Sequence, residues 1–385
     1  MWKVLLAWAL FVCAGRSAYA GLYNTSEPEE EKRSDRGIDS GDWFALVFRD
    51  TLLHLRSIGM TKPPLDNPLR KRYVLAAELA ARVNPTSLTS EQKLNLSAVF
   101  IRRKKYDEAK ALLEPLSRQE PNNFLVQSNL ATAYQLSGQE SRAIATLEQT
   151  LAVWPQQLGK VAEPFQVFLR SNRWHEGAFD FYRRAESYQL KVLRLRDREG
   201  RSRPGSRAQF ESVDALFDDG QNPPHPVKFV GPSGKFEPGR LAPEEKAKLP
   251  KDAIDIVQQL LIWLPEDIRL YWLLGELYNA QGGAKNIQSA RMIFDELAGF
   301  NGLGVRAVEL AEHRKDLLNF KNPEAEQPIT FDLGKKLDEA EKTRQDSAPR
   351  FNWQLLGVGF GTGILVAIFA MLQIREIRKR RRKRG

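Results

Sequence analysis

The sequence predicts an all-α fold, a solenoid of helical hairpins in two arrays followed by one C-terminal transmembrane helix. The first observation is a period of 34 residues between about Ser90 and Pro155, which marks one supersecondary unit that is copied and stacked. The second is the return of the same pattern after Pro250, and the third is an uncharged run near the C-terminus. These features predict an architecture without naming a ligand.

Each copy of the repeat has the same set of landmark residues. A leucine is followed by an aromatic residue four positions later, an alanine after a polar turn and a closing proline, and this order describes two helices packed back to back. The alanine allows close approach, and the proline ends the second helix because it has no amide proton. The landmarks are Leu96, Phe100, Ala109 and Pro121 in the first copy and Leu130, Tyr134, Ala143 and Pro155 in the second. This pattern resembles the tetratricopeptide repeat (TPR).

The resemblance implies a binding surface. In the family, the concave groove formed by the first helices of stacked repeats holds peptides or extended segments of partner proteins. The family's clamp for a C-terminal carboxylate has no match at Leu94, Ala98 and Ser128, so binding of chaperone tails is not predicted. The groove side chains predicted here are Arg102, Gln135, Trp272, Glu276 and Asn279.

Residues 1–20 are predicted to form a signal peptide. Lys3 gives a positive start, a short apolar run follows, and residues 18–20 have the small-x-small pattern of a cleavage site. The alternative is an uncleaved anchor, but the run is shorter than the roughly 20 residues that a membrane span needs. The single cysteine, Cys13, lies in this segment, so the mature chain would have neither disulfides nor thiolate metal sites. A disulfide-free exported chain favours a bacterial envelope.

The first array is predicted over residues 41–200, after a flexible acidic tether at 21–40. It comprises an N-terminal capping hairpin, the two clear repeats and a degenerate third repeat that ends in an unusually long helix. Residues 201–249 are rich in Pro and Gly and are predicted to be an insertion packed on the solenoid, with a free linker as the alternative. Within it, residues 227–237 could form a short β-hairpin.

The second array is predicted over residues 250–320. A second-helix pattern comes first, a new helical hairpin follows, and a final helix caps the array. The repeat framework of this array consists of Ala253, Pro265, Leu274, Gly275 and Tyr278. A polar, charged stalk is predicted at 321–352.

A transmembrane helix is predicted at 353–374, followed by a basic cytoplasmic tail at 375–385. The arginine and lysine cluster fixes the tail inside under the positive-inside rule, which predicts a single-pass membrane protein with an extracytoplasmic N-terminal domain. The tail is interpreted as a topology signal, with binding to anionic lipid as the alternative.

Two overlapping GxxxG spacings in the predicted transmembrane helix allow a homodimer through this helix, and a glycine-rich span with no partner is the other interpretation. The packing glycines are Gly357, Gly359, Gly361 and Gly363.

The net charge of +10 does not indicate a nucleic-acid-binding protein. The last eleven residues hold eight Lys or Arg and one Glu, and the leader holds Lys3 and Arg16, so these two ends carry nine of the ten net charges. The folded part is nearly neutral, which removes the basic patch that nucleic-acid binding requires.

No catalytic residue, metal site or cofactor is predicted. The four histidines, His54, His175, His225 and His313, stand at spacings that fit no metal site. Three aspartates of the insertion could supply paired carboxylates for glycoside hydrolysis, but in a polar segment they are interpreted as solvated. These are Asp214, Asp218 and Asp219.

The predicted function is that of a membrane-anchored scaffold which binds other envelope proteins or peptides through its TPR grooves. Two alternatives stay open. One is an envelope enzyme, or its substrate-recruiting subunit, with a site in the 201–249 insertion. The other is a receptor-like subunit that signals through the tail.

Overall fold

Helices form most of the chain that the computed structural model describes, which comprises residues 22–23, 40–61, 67–80, 84–161, 166, 169, 176–202, 212–298, 305 and 307–321. The α-helices are α1 (Ser40–Trp43), α2 (Arg49–Ile58), α3 (Pro68–Ala80), α4 (Ser90–Arg102), α5 (Tyr106–Gln119), α6 (Phe124–Leu136), α7 (Glu140–Val153), α8 (Glu176–Ser202), α9 (Pro243–Lys246), α10 (Ala253–Trp263), α11 (Ile268–Gln281), α12 (Ala284–Ala298) and α13 (Val308–Asn319). A π-helical turn, Phe44–Phe48, joins α1 to α2, and 3-10 turns lie at Pro85–Ser87 and Leu158–Lys160. These ranges contain two isolated β-bridges and no strand, so the all-α prediction is confirmed for the described residues.

Side-chain caps fix where the first helices of the hairpins begin. Thr89 and Gln92 form a reciprocal capping box at the start of α4, with each side chain bonded to the other residue's main-chain N–H. Asn123 caps α6, and Asp267 caps α11 by accepting from the N–H of Leu270 at 3.0 Å. These caps satisfy main-chain donors that a helix start leaves without an intrahelical acceptor.

The turn that follows the first helix has the same backbone conformation in the two clear repeats. Eight positions after Leu96 and Leu130 stand residues with a positive φ, Lys104 with 59° and Gly138 with 75°. The residues that follow them also agree: Lys105 has φ of −95° and ψ of 64°, and Gln139 has φ of −96° and ψ of 59°. Glycine adopts this conformation without a steric penalty, whereas lysine does not. The 34-residue period therefore extends to backbone conformation in the turns.

Consecutive helices pack side by side from α3 to α8, and α8 then contacts α10, from which the order continues to α13. The small framework residues lie at the closest contacts: Ala109 and Ala143 are fully buried, and Gly275 faces α12. A Cβ on Gly275 would lie 2.3 Å from Cε1 of Phe294, so α11 and α12 approach closely only because this side chain is absent.

The N-terminal helices close the fold by packing against the second array. α2 contacts α10, and α1 packs on α12 so closely that a Cβ on Gly41 would lie 2.6 Å from the main-chain carbonyl carbon of Lys285. Lys285 Nζ pairs with Asp42 at 2.5 Å, and Arg49 pairs with Glu296. The hairpin predicted to cap the first array thus also contacts the second.

The described part of the insertion, residues 212–249, packs on the helices without strands of its own. Its Asp214 and Phe217 are buried, and Gly239 donates its N–H to Oδ1 of Asn279 on α11 at 2.8 Å. In place of the suggested β-hairpin there is a tight turn in which Gly231 N–H donates to the carbonyl of Lys235 at 2.7 Å. The chain between the two arrays therefore connects them through specific contacts.

No helix within the described ranges is both long and apolar enough to span a membrane. The longest of them, α8, carries charged residues along its length. The single-pass membrane localisation predicted from the sequence is corrected on this finding. Outside the described residues lie the predicted signal peptide, the stalk after Lys321, the basic tail and the predicted transmembrane helix at 353–374 with Gly357, Gly359, Gly361 and Gly363.

Candidate functional site

Arg102, a predicted groove residue of the first array, contacts helix α10. Arg102, at the end of α4, is buried, and its Nη1 donates to the main-chain carbonyls of Ile262 at 2.7 Å and Trp263 at 3.4 Å. These carbonyls belong to the last turn of α10, where helix carbonyls lack intrahelical donors and carry partial negative charge. Arg102 therefore joins the two arrays in this structure.

Gln135 lies on the next first helix, α6, and contacts the long helix α8. Gln189 Nε2 donates to Oε1 of Gln135 at 2.7 Å and lies 3.4 Å from Oγ1 of Thr132. Gln135 is half-buried, whereas Gln189 and Thr132 are buried. This contact between α6 and α8 borders a cavity that lies beside α10.

That space is a cavity of about 390 Å³ at the junction of α2, α4, α6, α8 and α10, which we call the junction cavity. Arg102 and Gln135, two of the five predicted groove residues, both line it. Its apolar lining includes Leu55, Ile101, Leu136, Leu193, Trp263 and Ile268. Its volume is at the lower end of the range for ligand pockets, about 300–1,000 Å³.

Buried ion pairs hold one side of the junction cavity. Arg196 of α8 donates to Asp267 at 2.5 Å and to Asp214 at 2.5 Å, and Arg269 contacts Asp214 at 2.9 Å. Burial by itself lowers the pKa of Arg196, but the charges of Asp267 and Asp214 outweigh burial and hold that pKa well above its ordinary value. The network ties α8, the insertion and α11 together.

The rim of the junction cavity is also paired. Lys104 Nζ lies 2.6 Å from a carboxylate oxygen of Glu266, and both side chains are about half exposed. Burial, and then the charge of Glu266, raises the pKa of the Tyr106 hydroxyl. Because each sign of charge occurs on the rim, the lining favours an apolar group flanked by polar ones over a strongly charged ligand.

The three groove residues predicted in the second array are buried. Trp272, Glu276 and Asn279 have exposed fractions of only 0%, 1% and 3%. Trp272 Nε1 donates to Oε1 of Glu276 at 2.9 Å, and Asn279 is bonded to the insertion. These three predicted groove residues thus have intramolecular partners, because the insertion and α13 cover the face on which they lie.

His313 of α13 is the main contact of Glu276. Its Nδ1 lies 2.8 Å from Oε1 of Glu276, and its ring stacks on Phe236 with centroids 3.8 Å apart. Burial lowers the pKa of His313, but the hydrogen bond and charge of Glu276, with smaller contributions from Glu309 and Asp316, outweigh burial and raise that pKa. The pair is therefore strongest when His313 is protonated.

The histidine and the aspartates of the insertion do not all face one pocket. His225 is exposed, with its Nδ1 2.8 Å from Asp219, whereas Asp214 is buried against arginines and Asp218 pairs with Lys191 at 2.5 Å. Hydrogen bonds from the main chain and side chain of His225 and from the N–H of Gln221 lower the pKa of Asp219 to about 2. No group of three metal-ligating side chains meets within the described ranges. These contacts build no shared pocket for paired carboxylates.

Sequence reasoning missed the residues that close the grooves. Arg196, Gln189 and the α10 carbonyls lie on elements far along the chain from α4 and α6, and no local period relates them. The only available signal was the length of α8, which runs past the end of a normal repeat helix. Its extra turns carry Arg196 and Glu199 to the second array.

Comparison with known proteins agrees with the helical packing. Residues 100–159 match the family model described as Tetratricopeptide repeat. No curated protein and no solved structure matches the chain. The matched range contains α5, α6 and α7 and the second-copy landmarks Leu130, Tyr134, Ala143 and Pro155. The resemblance to the tetratricopeptide repeat predicted from the 34-residue period is thus confirmed over residues 100–159.

Proposed function

We propose that this protein is an interaction scaffold which binds an extended segment of a partner protein at the junction cavity. TPR domains bind other proteins and are generally non-catalytic, which supports a protein partner. The observation that carries the proposal is that Arg102 and Gln135, from the first helices of two consecutive repeats, line one cavity of about 390 Å³. The cavity lies beside the last turn of α10, whose carbonyls accept from Arg102.

The lining indicates how a partner would bind. An apolar side chain would pack among Ile101, Leu136 and Ile268, and its flanking main chain would meet the polar side chain of Gln135. Anchoring of this kind concentrates binding energy in a few buried side chains. Because α4, α6 and α8 are fixed by buried contacts, the cavity is preformed and little ordering entropy opposes binding.

Site-specific photo-crosslinking tests the proposal. A photoreactive residue replaces Gln135 in the full-length chain, and a control chain carries it at Ala111, which is exposed on α5 and does not line the cavity. We expect the Gln135 chain to crosslink one defined segment of a partner, mapped by mass spectrometry, and the Ala111 chain to leave that segment unlabelled. Equal labelling of the segment from both positions, or none from Gln135, would rule the cavity out as the binding site.

A further inference from the structure

The second-array groove contains a short piece of the insertion, residues 236–240, that is held in the manner of a bound peptide. The side chain of Asn279 on α11 makes two hydrogen bonds to the main chain of this segment. Its Oδ1 accepts from the N–H of Gly239 at 2.8 Å, and its Nδ2 donates to the carbonyl of Glu237 at 3.2 Å. Both bonds go to the main chain, so they would form with any sequence that fits the space.

Two residues of the segment 236–240 restrict which sequences fit this groove. Phe236 stacks on His313 at 3.8 Å between centroids with the planes 16° apart. Gly239 has φ of 71°, and a Cβ there would lie 2.6 Å from Cδ1 of Ile287. The carbonyl oxygen of Gly239 also faces Gly282, where an added Cβ would lie 2.7 Å away. The groove therefore selects an aromatic residue and, three positions later, a glycine.

The floor of this groove holds a polar atom that residues 236–240 do not satisfy. Glu276 is 1% exposed, and its Oε1 is bonded to Trp272 and His313. Its Oε2 is buried and has no hydrogen-bond partner in the part of the chain that the structure describes. A buried carboxylate oxygen without a donor is costly, so a segment that brings an N–H or O–H to this atom would bind better than the internal one.

We propose that the second-array groove is a binding site for an extended segment of the form aromatic-x-x-glycine, and that residues 236–240 occupy it as an internal ligand. A tethered segment acts at an effective concentration on the order of millimolar, so it excludes weaker external segments. A partner protein that presents the same pattern binds after displacing it. This site is separate from the junction cavity and does not depend on the function proposed for that cavity.

The test measures whether the protein binds a free peptide that has the sequence of the internal segment. A fluorescent peptide with the sequence of residues 226–242 is titrated with full-length protein, and binding is followed by anisotropy. In Gly239→Val, a β-branched side chain at a left-handed position and against Ile287 removes the internal segment from the groove. We expect the wild-type chain to bind the peptide at least about tenfold more weakly than Gly239→Val, because the tethered segment competes.

Two further variants separate groove binding from general loosening. Gly234→Val is the matched control, because Gly234 has φ of 77° in the exposed turn and has nothing within 4 Å of an added Cβ. It should bind like the wild type. Adding Asn279→Ala to Gly239→Val should weaken binding about tenfold, since two main-chain hydrogen bonds are lost.

The proposal is overturned if Gly239→Val keeps the wild-type circular dichroism spectrum yet binds the peptide no better than wild type. It is equally overturned if Gly234→Val gains the same binding. If Gly239→Val loses its helical circular dichroism signal, Phe236→Ala replaces it in the test. Phe236→Ala removes the ring stack on His313 and leaves the main chain unchanged. That variant must then bind the peptide more tightly than wild type.

Discussion

At the scale of single residues, Lys104 occupies a turn position whose left-handed backbone conformation favours glycine. Lys104 has φ of 59° where the equivalent turn of the next repeat has Gly138. We predict that Lys104→Gly is more stable than Lys104→Ala by about 0.5–1 kcal/mol, since relief of left-handed strain exceeds the entropy that glycine adds to the unfolded chain. Both variants lose the pair with Glu266, so their comparison isolates the backbone. Urea unfolding measures the difference, and an alanine variant of equal stability would contradict the strain.

His313 gives the fold a dependence on pH. Its folded-state pKa is raised above the ordinary 6.5, so its pairing with Glu276 stabilises the fold fully below that value and loses this contribution as pH rises through the raised pKa. We predict that His313→Gln lowers the free energy of unfolding more at about pH 5.5 than at about pH 8.5. Denaturant unfolding at both values measures the effect.

The partner of His313 provides the control for this pH dependence. In a Glu276→Gln background the extra loss at acidic pH should largely disappear, because the residue that contributes most to the raised pKa of His313 is gone. A loss that is the same at both pH values in the wild-type background would show that His313 only packs against Phe236.

At the scale of elements, close contact between α11 and α12 depends on one missing side chain. Gly275→Ala would place a methyl group 2.3 Å from Phe294 and 3.1 Å from Ile293. We predict a loss of about 1–2 kcal/mol despite the better helix propensity of alanine. Gly159→Ala is the control, because no atom lies within 4 Å of the added Cβ and its φ is not left-handed. It should be neutral or slightly stabilising, and a similar loss in both variants would contradict the packing argument.

The elements were predictable from sequence to the extent that their signals are local. Leucine, aromatic and alanine landmarks report the buried face of each helix, and Asn123 and Asp267 mark helix starts. The grooves were not predictable in the same way. Trp272, Glu276 and Asn279 lie on α11, and the segments that contact them are the insertion and α13. Such contacts join residues far apart in the chain, and no period records them.

At the scale of the whole molecule, one buried charge network joins α8, the insertion and the second array. We predict that Arg196→Met lowers the free energy of unfolding by about 3 kcal/mol, because the largely buried Asp267 loses its ion pair and the buried Asp214 keeps only Arg269. Arg194→Met is the matched control: Arg194 stands on the same helix in an exposed pair with Glu148. Its loss should be below about 1 kcal/mol. Similar losses of unfolding free energy in the two variants would mean that the ion-pair network contributes little to the stability of the fold.

The central claim concerns the junction cavity, where α4 and α6 of the repeats meet α8 and α10. Leu136 is half-exposed and lines the cavity, so Leu136→Trp fills it, whereas Leu151→Trp enlarges a half-exposed leucine on α7 that does not line it. The most direct measurement is calorimetric titration of the partner segment mapped by crosslinking into the wild-type chain and these two variants. We predict that Leu136→Trp weakens binding by at least about tenfold, consistent with loss of a buried anchor, while Leu151→Trp binds like the wild type. Unchanged affinity in Leu136→Trp would contradict the claim that partners bind at the junction cavity.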